Sequence, residues 1–427
     1  MNRRKFLVNG LLTGAGTAGV LGAASARPSP GYNPGPIQAT LQTSQIVNTD
    51  GARLDTALSG LFQTASHADG VSPSGQPATV TITTGYTSTI PNSVRVDWQD
   101  PAVRVFAGRL LRTSFPGGGS SNGAYSYVSG AYEGGGVVVE IMYDGANIDF
   151  ATYGQGGAIQ VLVDGVPAGP FLSVPGDGNF YSVNVSFNGV RAIRRLTFRS
   201  GTECIGFNTG PTDTIWRSPR QLGPRMIVMG DSYTEGAGAS LGEGFPAVMG
   251  RVLGLEDIWT SGSGGTGYLA NGSPGAPGRY TFRQRVGTDI IAYNPQIVLI
   301  CGGINDTVNN ASDAAALQTE ATLLYRQILN NLQNCRLYVC GPWRPPAASN
   351  GNTSAVNAAL QAAVASVPGV KFIDVSHYFT GTGYAGAPAG DGNSDYYIGY
   401  DRVHPSAAGH LYIGTRLAGD FAALQPF

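Results

Sequence analysis

The hydrophobic period of this chain changes once, near residue 219, and that change limits the folds open to it. Before it, Val183, Val185 and Phe187 alternate with Asn184 and Ser186, and Leu196 and Phe198 alternate with Arg195, Thr197 and Arg199. A period of two belongs to strands with one buried and one wet face. The denser runs Val137-Val138-Val139-Glu140-Ile141 and Ile159-Gln160-Val161-Leu162-Val163 read as inner strands. Asp144-Gly145, Asp164-Gly165 and Asn188-Gly189 stand between runs, where the positive φ of tight hairpin turns suits Gly and Asn. Many short strands without helices predict an antiparallel β-sandwich, jelly-roll-like, over residues 78–218.

After residue 219 short apolar runs alternate with helical stripes. The runs are Met226-Ile227-Val228-Met229, a weaker Asp257-Ile258-Trp259, Gln296-Ile297-Val298-Leu299-Ile300, Leu337-Tyr338-Val339 and Val370-Lys371-Phe372-Ile373. Leu317, Ala321, Leu324 and Ile328 form one stripe, with Ser312 as its expected N-cap. Val356, Ala359, Leu360, Ala363, Val364 and Val367 form another. This pattern predicts an α/β domain over 219–427, built on a five-stranded parallel sheet covered on both faces. Ligands in such sheets bind beyond the carboxyl ends of the strands.

The chain's 427 residues exceed what one core usually holds, in keeping with two domains. Lys plus Arg (26) nearly equals Asp plus Glu (27), so no basic surplus exists to neutralise phosphates, and nucleic acid is not an expected partner. At the N-terminus, Arg3-Arg4 precedes a mild apolar run from Val8 to Ala24, and Ala24-Ser25-Ala26 supplies small residues for cleavage. Residues 1–26 resemble a twin-arginine (Tat) export signal, with Asn2 and Val8 departing from the usual pattern; an ordinary Sec signal is the alternative. Both imply an exported protein, periplasmic or extracellular, without a membrane anchor after cleavage. Residues 27–77 read as a linker followed by a short amphipathic helix carrying Leu54, Ala57, Leu58 and Leu61. Cys204, Cys301, Cys335 and Cys340 lack metal spacing, and no catalytic metal or cofactor is expected. Cys301 and Cys340 end buried-strand runs, where Cys packs as a small apolar residue, with a disulfide as the alternative.

The residues able to do chemistry fall at the strand ends. Gly230-Asp231-Ser232 follows the first run, Thr260 to Gly267 the second, Gly302-Gly303-Ile304-Asn305-Asp306 the third, and Asp401-Arg402-Val403-His404 lies near the C-terminus. A Ser hydroxyl becomes a useful nucleophile when an imidazole accepts its proton, and the imidazole needs an acceptor on its other nitrogen. A tetrahedral intermediate needs donors aimed at its oxygen. Asp231 and Asp306 read more simply as loop caps. His67, His377 and His410 have no motif around them, Tyr233, Tyr268, Trp343 and Tyr400 either line a cleft or pack, and the glycines around Tyr125, Tyr127 and Tyr132 read as turns.

These four blocks, in this order, resemble the GDSL/SGNH hydrolase family, over about residues 224–420. The resemblance implies a flavodoxin-like α/β domain with Ser232 as nucleophile, His404 as general base and Asp401 orienting it. It also implies an oxyanion hole of Ser232, Gly265 and Asn305, with Thr260 standing where the family has Asn. A β-sandwich ahead of such a domain is similar to carbohydrate esterase family two, implying a serine esterase that removes acetyl groups from a carbohydrate or polysaccharide. The alternatives are a lipase or lysophospholipase with a long acyl channel, and a carbohydrate-binding protein whose hydrolase domain has lost activity. The intact Ser232, Asn305, Asp401 and His404 speak against the last.

Overall fold

The computed structural model describes residues 78–424, apart from 110–135, 273–279 and the single positions 86, 155, 203, 221, 241 and 349. The expected export signal over 1–26 and the expected linker and short helix over 27–77 lie outside the described residues, as do His67, Tyr125, Tyr127 and Tyr132. The first part contains β1 (Thr79–Thr84), β2 (Val94–Asp97), β3 (Arg104–Arg109), β4 (Val137–Tyr143), β5 (Asn147–Tyr153) and β6 (Gly157–Val163). After them come β7 (Val166–Pro167), β8 (Leu172–Val174), β9 (Phe180–Ser186), β10 (Arg194–Ser200), β11 (Gly206–Thr209) and β12 (Ile215–Trp216). The second part contains β13 (Met226–Gly230), β14 (Ile258–Gly262), β15 (Ile297–Cys301), β16 (Arg336–Cys340) and β17 (Val370–Ile373). Its helices are α1 (Ser232–Glu235), α2 (Phe245–Leu253), α3 (Phe282–Asp289), α4 (Ala311–Asn331), α5 (Asn350–Ala365), α6 (Ser394–Tyr397) and α7 (Ala407–Ala423).

Two antiparallel layers face each other in the first part. One is β1-β9-β5-β11-β2; the other contains β3-β4-β10-β6-β7, with β12 on β4 and β8 on β6. Phe150 and Phe207 from the first layer meet Phe198 from the second, the Phe150 and Phe198 rings stacking at 4.9 Å. Val139, Ile141, Ile159, Val161 and Leu196 complete this core, the inward positions of the alternating pattern. Of the three expected hairpin turns only Asp164-Gly165 is one, both residues at positive φ between the paired β6 and β7. Asn188-Gly189 shares that backbone but passes from β9 to β10, in opposite layers. Gly145 is needed for room instead: a Cβ there would meet the Tyr143 hydroxyl and the Asp213 carboxylate.

In the second part β14-β13-β15-β16-β17 run parallel, the doubly wound order 2-1-3-4-5. Successive residues point to opposite faces. Met226, Val228, Ile297 and Leu299 pack with α2 and α7, while Ile227, Met229, Val298 and Ile300 pack with α3, α4 and α5. The stripe Leu317, Ala321, Leu324 and Ile328 is fully buried, as its spacing requires. The N-cap of α4 is Asn310, not Ser312: Asn310 has extended backbone, and its side-chain oxygen accepts the Ser312 and Asp313 N–H groups.

The parallel sheet does not stop at β14. β3 pairs parallel to it, Trp259 with Gly108 and Thr260 with Arg109, and antiparallel to β4 on its other side. One sheet therefore runs through both parts.

Candidate active site

Ser232 opens α1 directly beyond the carboxyl end of β13. Asp231 caps the helix, its Oδ1 accepting the Tyr233 N–H at 3.0 Å, and Gly236 ends it with a left-handed φ. A helix this short leaves the first-turn N–H of Ser232 without an intrahelical acceptor. The hydroxyl meets His404 Nε2 at 2.8 Å, and His404 Nδ1 meets Asp401 Oδ2 at 2.5 Å. Asp401 Oδ1 accepts the backbone N–H groups of Val403 and His404 at 3.0 and 2.9 Å, so one carboxylate fixes both the loop and the ring. Arg402 turns that loop at a positive φ of 66°. Partial burial works to raise the Asp401 carboxyl, but the His404 ring and the two N–H groups outweigh it and hold it below the usual carboxylate range. The network assigns Nδ1–H as donor to Asp401 and leaves Nε2 to accept from Ser232.

Tyr233 steadies the arrangement from behind. Its ring stacks on Trp343 at 5.8 Å, lies against His404 at 5.9 Å, and its hydroxyl donates to the Val403 carbonyl. Tyr233, Trp343 and Tyr268 are buried and pack, whereas Tyr400, beside Asp401, is 82% exposed.

The loop after β14 and the turn after β15 meet beside Ser232. Gly264 donates its N–H to Glu235 Oε2 at 2.9 Å. Gly265 follows at a φ of 75°, and Asn305 Nδ2 donates to the Thr266 carbonyl at 3.0 Å. One amide hydrogen of Asn305 is thereby placed and the other is left for an acceptor. Asp306 accepts the N–H groups of Tyr268, Leu269 and Ala270 at 2.7–3.0 Å, anchoring the far side of the loop. Asp231 and Asp306 thus hold backbone. Burial pushes the Asp231 carboxyl up to about 7, opposed by the Tyr233 N–H and helped by the Asp306 charge. Burial likewise raises Asp306, against the three N–H groups it accepts.

His410 is fully buried, its Nδ1 accepting the Phe245 N–H at 3.2 Å and its Nε2 donating to the Ala237 carbonyl at 2.8 Å. Burial lowers its pKa to about 4, and the neutral ring ties α7 to the start of α2 and to the segment after α1. Sequence reasoning gave no role to Glu235 or to the Thr266 carbonyl. The only signal for Glu235 was an acid three residues after Ser232, on the same face of one helical turn.

Among the described residues no group of three or more His, Cys, Asp or Glu side chains could hold a metal ion. No helix among them is long and apolar enough to cross a membrane.

Residues 228–411 match the GDSL-like Lipase/Acylhydrolase family. No curated protein matches the chain. Among solved structures, a family two carbohydrate esterase from Clostridium thermocellum, in complex with cellohexaose, is 19% identical. The match covers 75% of this chain and 99% of that one, with a TM-score of 0.54. A family two carbohydrate esterase from Cellvibrio japonicus is 15% identical over 78% of this chain and 98% of its own, with a TM-score of 0.55. A salicylyl-acyltransferase from a tetracycline biosynthetic pathway is 14% identical, covering 79% of this chain and 98% of its own, with a TM-score of 0.57. At these identities the likeness is one of fold, and it takes in the β-sandwich as well as the parallel sheet. The matched stretch, residues 228–411, contains Ser232, Asn305, Asp401 and His404, and the match supports carboxylic ester hydrolase activity for the domain they lie in.

Proposed function

We propose that this protein is an exported serine esterase that removes acetyl groups from a carbohydrate or polysaccharide, with residues 219–427 as its catalytic domain and 78–218 as an accompanying sandwich. The observation that carries the mechanism is the chain of hydrogen bonds from Ser232 through His404 to Asp401. As Ser232 Oγ attacks the ester carbonyl, its proton passes to His404 Nε2, and Asp401 stabilises the imidazolium through Nδ1–H. The carbonyl oxygen becomes an oxyanion facing the Ser232 and Gly265 N–H groups and the second amide hydrogen of Asn305. Collapse breaks the bond to the alcohol, which leaves with the proton from Nε2. Water, deprotonated by His404, then attacks the acyl-Ser232 ester and releases the acid, returning the proton to Oγ.

Two observations support the carbohydrate side of the reading. The cellohexaose-bound family two esterase shares the fold across both parts, and Tyr400, the residue before Asp401, presents an exposed aromatic ring, a surface suited to a flat sugar face. The export segment supports an extracellular or periplasmic site of action.

The test is Ser232→Ala. It should abolish hydrolysis of p-nitrophenyl acetate and of acetylated glycans, and abolish labelling by a fluorophosphonate, with thermal stability nearly unchanged. Labelling that persisted, or a rate above a few per cent of wild type, would remove Ser232 as nucleophile. A preference for long-chain acyl esters over acetylated glycans would replace the carbohydrate substrate with a lipid one.

A further inference from the structure

The loop that carries Gly265 leaves β14 at Gly262 and passes against the single turn of α1. A Cβ on Gly262 would meet the Glu235 nitrogen at 2.2 Å, and one on Gly264 would meet Glu235 Oε2 at 3.0 Å and Ser232 Cβ at 3.6 Å. At Gly262 only a glycine allows so close an approach to backbone, and the glycines of this loop have the widest choice of backbone conformation. Something must therefore fix the direction in which the Gly265 N–H points. Glu235 is buried, at 5% exposure, and its Oε2 accepts the Gly264 N–H. The Gly264–Gly265 peptide that bears the Gly265 N–H begins at the residue so held. One helical turn thus presents Ser232 and, three residues on, the acceptor that ties down the neighbouring loop. Asp306 holds the same loop beyond Gly265, through the N–H groups of Tyr268, Leu269 and Ala270.

We propose that Glu235 is a positioning residue for the oxyanion hole: by accepting the Gly264 N–H it aims the Gly265 N–H at the oxygen on which charge develops. This rests on the esterase reading above, in which Gly265 is a donor. Glu235 touches neither substrate nor the reacting atoms; it acts through Gly264.

The experiment compares Glu235→Ala, which removes the acceptor, with Glu235→Gln, which keeps an acceptor oxygen at the same reach. Activity on p-nitrophenyl acetate is expressed per active site, titrated with a fluorophosphonate. Glu235→Ala should lower kcat about 10–100-fold and move KM less than about threefold, because a misaimed donor is missed chiefly in the transition state. The rate of fluorophosphonate inactivation should fall by a similar factor, since the phosphoryl oxygen enters the same hole. Glu235→Gln should recover most of both. Should Glu235→Ala fail to fold, Glu235→Asp, with its oxygen withdrawn by one methylene, replaces it in the comparison. A wild-type kcat per titrated site in the variant without a correctly placed acceptor, with only the melting temperature reduced, would show a structural role and overturn the proposal. Equal losses in the Gln variant would overturn it too. Ser232→Ala, measured alongside, separates the two readings: if it is inert while Glu235→Ala keeps wild-type kcat, only the role of Glu235 fails. If Ser232→Ala still hydrolyses the ester, the nucleophile assignment fails and the role of Glu235 with it.

Discussion

Asn305 gives one amide hydrogen to the Thr266 carbonyl, and that bond settles the orientation of the other. A donor held in advance costs no reorganisation when charge appears on the substrate oxygen, and one such donor typically stabilises the transition state by about 3–4 kcal/mol. Asn305→Ala is expected to reduce kcat about 10²–10³-fold with KM little changed. His404→Ala should lose more, because Ser232 then has no base and its hydroxyl is a poor nucleophile. Steady-state kinetics on p-nitrophenyl acetate decide between roles. An Asn305→Ala variant that mainly raised KM would make Asn305 a substrate-binding residue. At this scale the hydrogen-bonded grouping of Ser232, His404 and Asp401 was legible because each stands in a recognisable short string of the sequence. Glu235 was not legible in the same way. An acid one turn after a serine has no signature of its own, and its partner, the Gly264 N–H, belongs to a backbone that every residue shares.

The secondary-structure elements were legible where burial sets their pattern and less so where caps and turns do. The stripes of α4 and α5 and the runs of β13 to β17 follow from which faces must be dry. The N-cap of α4 moved from Ser312 to Asn310 because both side chains can cap and only the path of the preceding chain chooses between them. His410 shows what spacing alone does not reveal. It sits on α7 among apolar neighbours, yet its two ring nitrogens satisfy the Phe245 N–H and the Ala237 carbonyl. Its pKa is about 4 in the folded chain against an ordinary 6.5. Over that window the unfolded chain binds the proton and the folded chain does not, so this group makes stability fall as pH drops from about 6.5 towards about 4. Asp231, raised to about 7 from 3.8, works in the opposite sense over an overlapping window: its contribution is full below 3.8 and is lost as pH rises through about 7. The informative quantity is therefore the difference in urea unfolding free energy between wild type and His410→Gln at each pH. Wild type should lose its advantage as the pH is lowered from 6.5, by up to about 1.4 kcal/mol per pH unit. A difference independent of pH would show that His410 binds its proton equally in the folded and unfolded chain, and that burial does not lower its pKa.

At the scale of the whole molecule the two parts announce themselves in the change of period near residue 219, but the strand that joins them does not. β3 lies in the strand-rich half of the sequence and pairs with β14 of the other half. Period identifies which face of a strand is buried and says nothing about which edge it meets. The junction is also ionic. Glu140 on β4 is buried at 1% exposure, with Arg104 Nη1 at 3.9 Å, Arg195 Nε at 3.8 Å and Arg220 Nη2 at 3.4 Å. Arg104 donates to the Arg220 carbonyl at 2.6 Å, and Arg220 pairs with Glu256 at 2.8 Å. A protein cut to residues 219–427 keeps Ser232, Asn305, Asp401 and His404, yet it loses the strand that covers the β14 edge and the carboxylate that Arg220 faces. An uncovered edge is a template for association between chains, and of Glu140 and Glu256, Arg220 keeps only Glu256. The truncated protein should therefore aggregate or melt well below the full chain, with the loop after β14, which carries Gly265, the first part of the candidate site to loosen. Size-exclusion chromatography, thermal melts and kcat/KM on p-nitrophenyl acetate per titrated site measure this directly. A soluble, monomeric 219–427 with full-length kcat/KM on that ester would show that the sandwich is dispensable to the site. In that event the ratio of activity on acetylated polysaccharide to activity on the small ester becomes decisive. A fall in that ratio on truncation would assign the sandwich to holding the polymer, since remote binding energy is what such a part supplies, and an unchanged ratio would deny it that role as well.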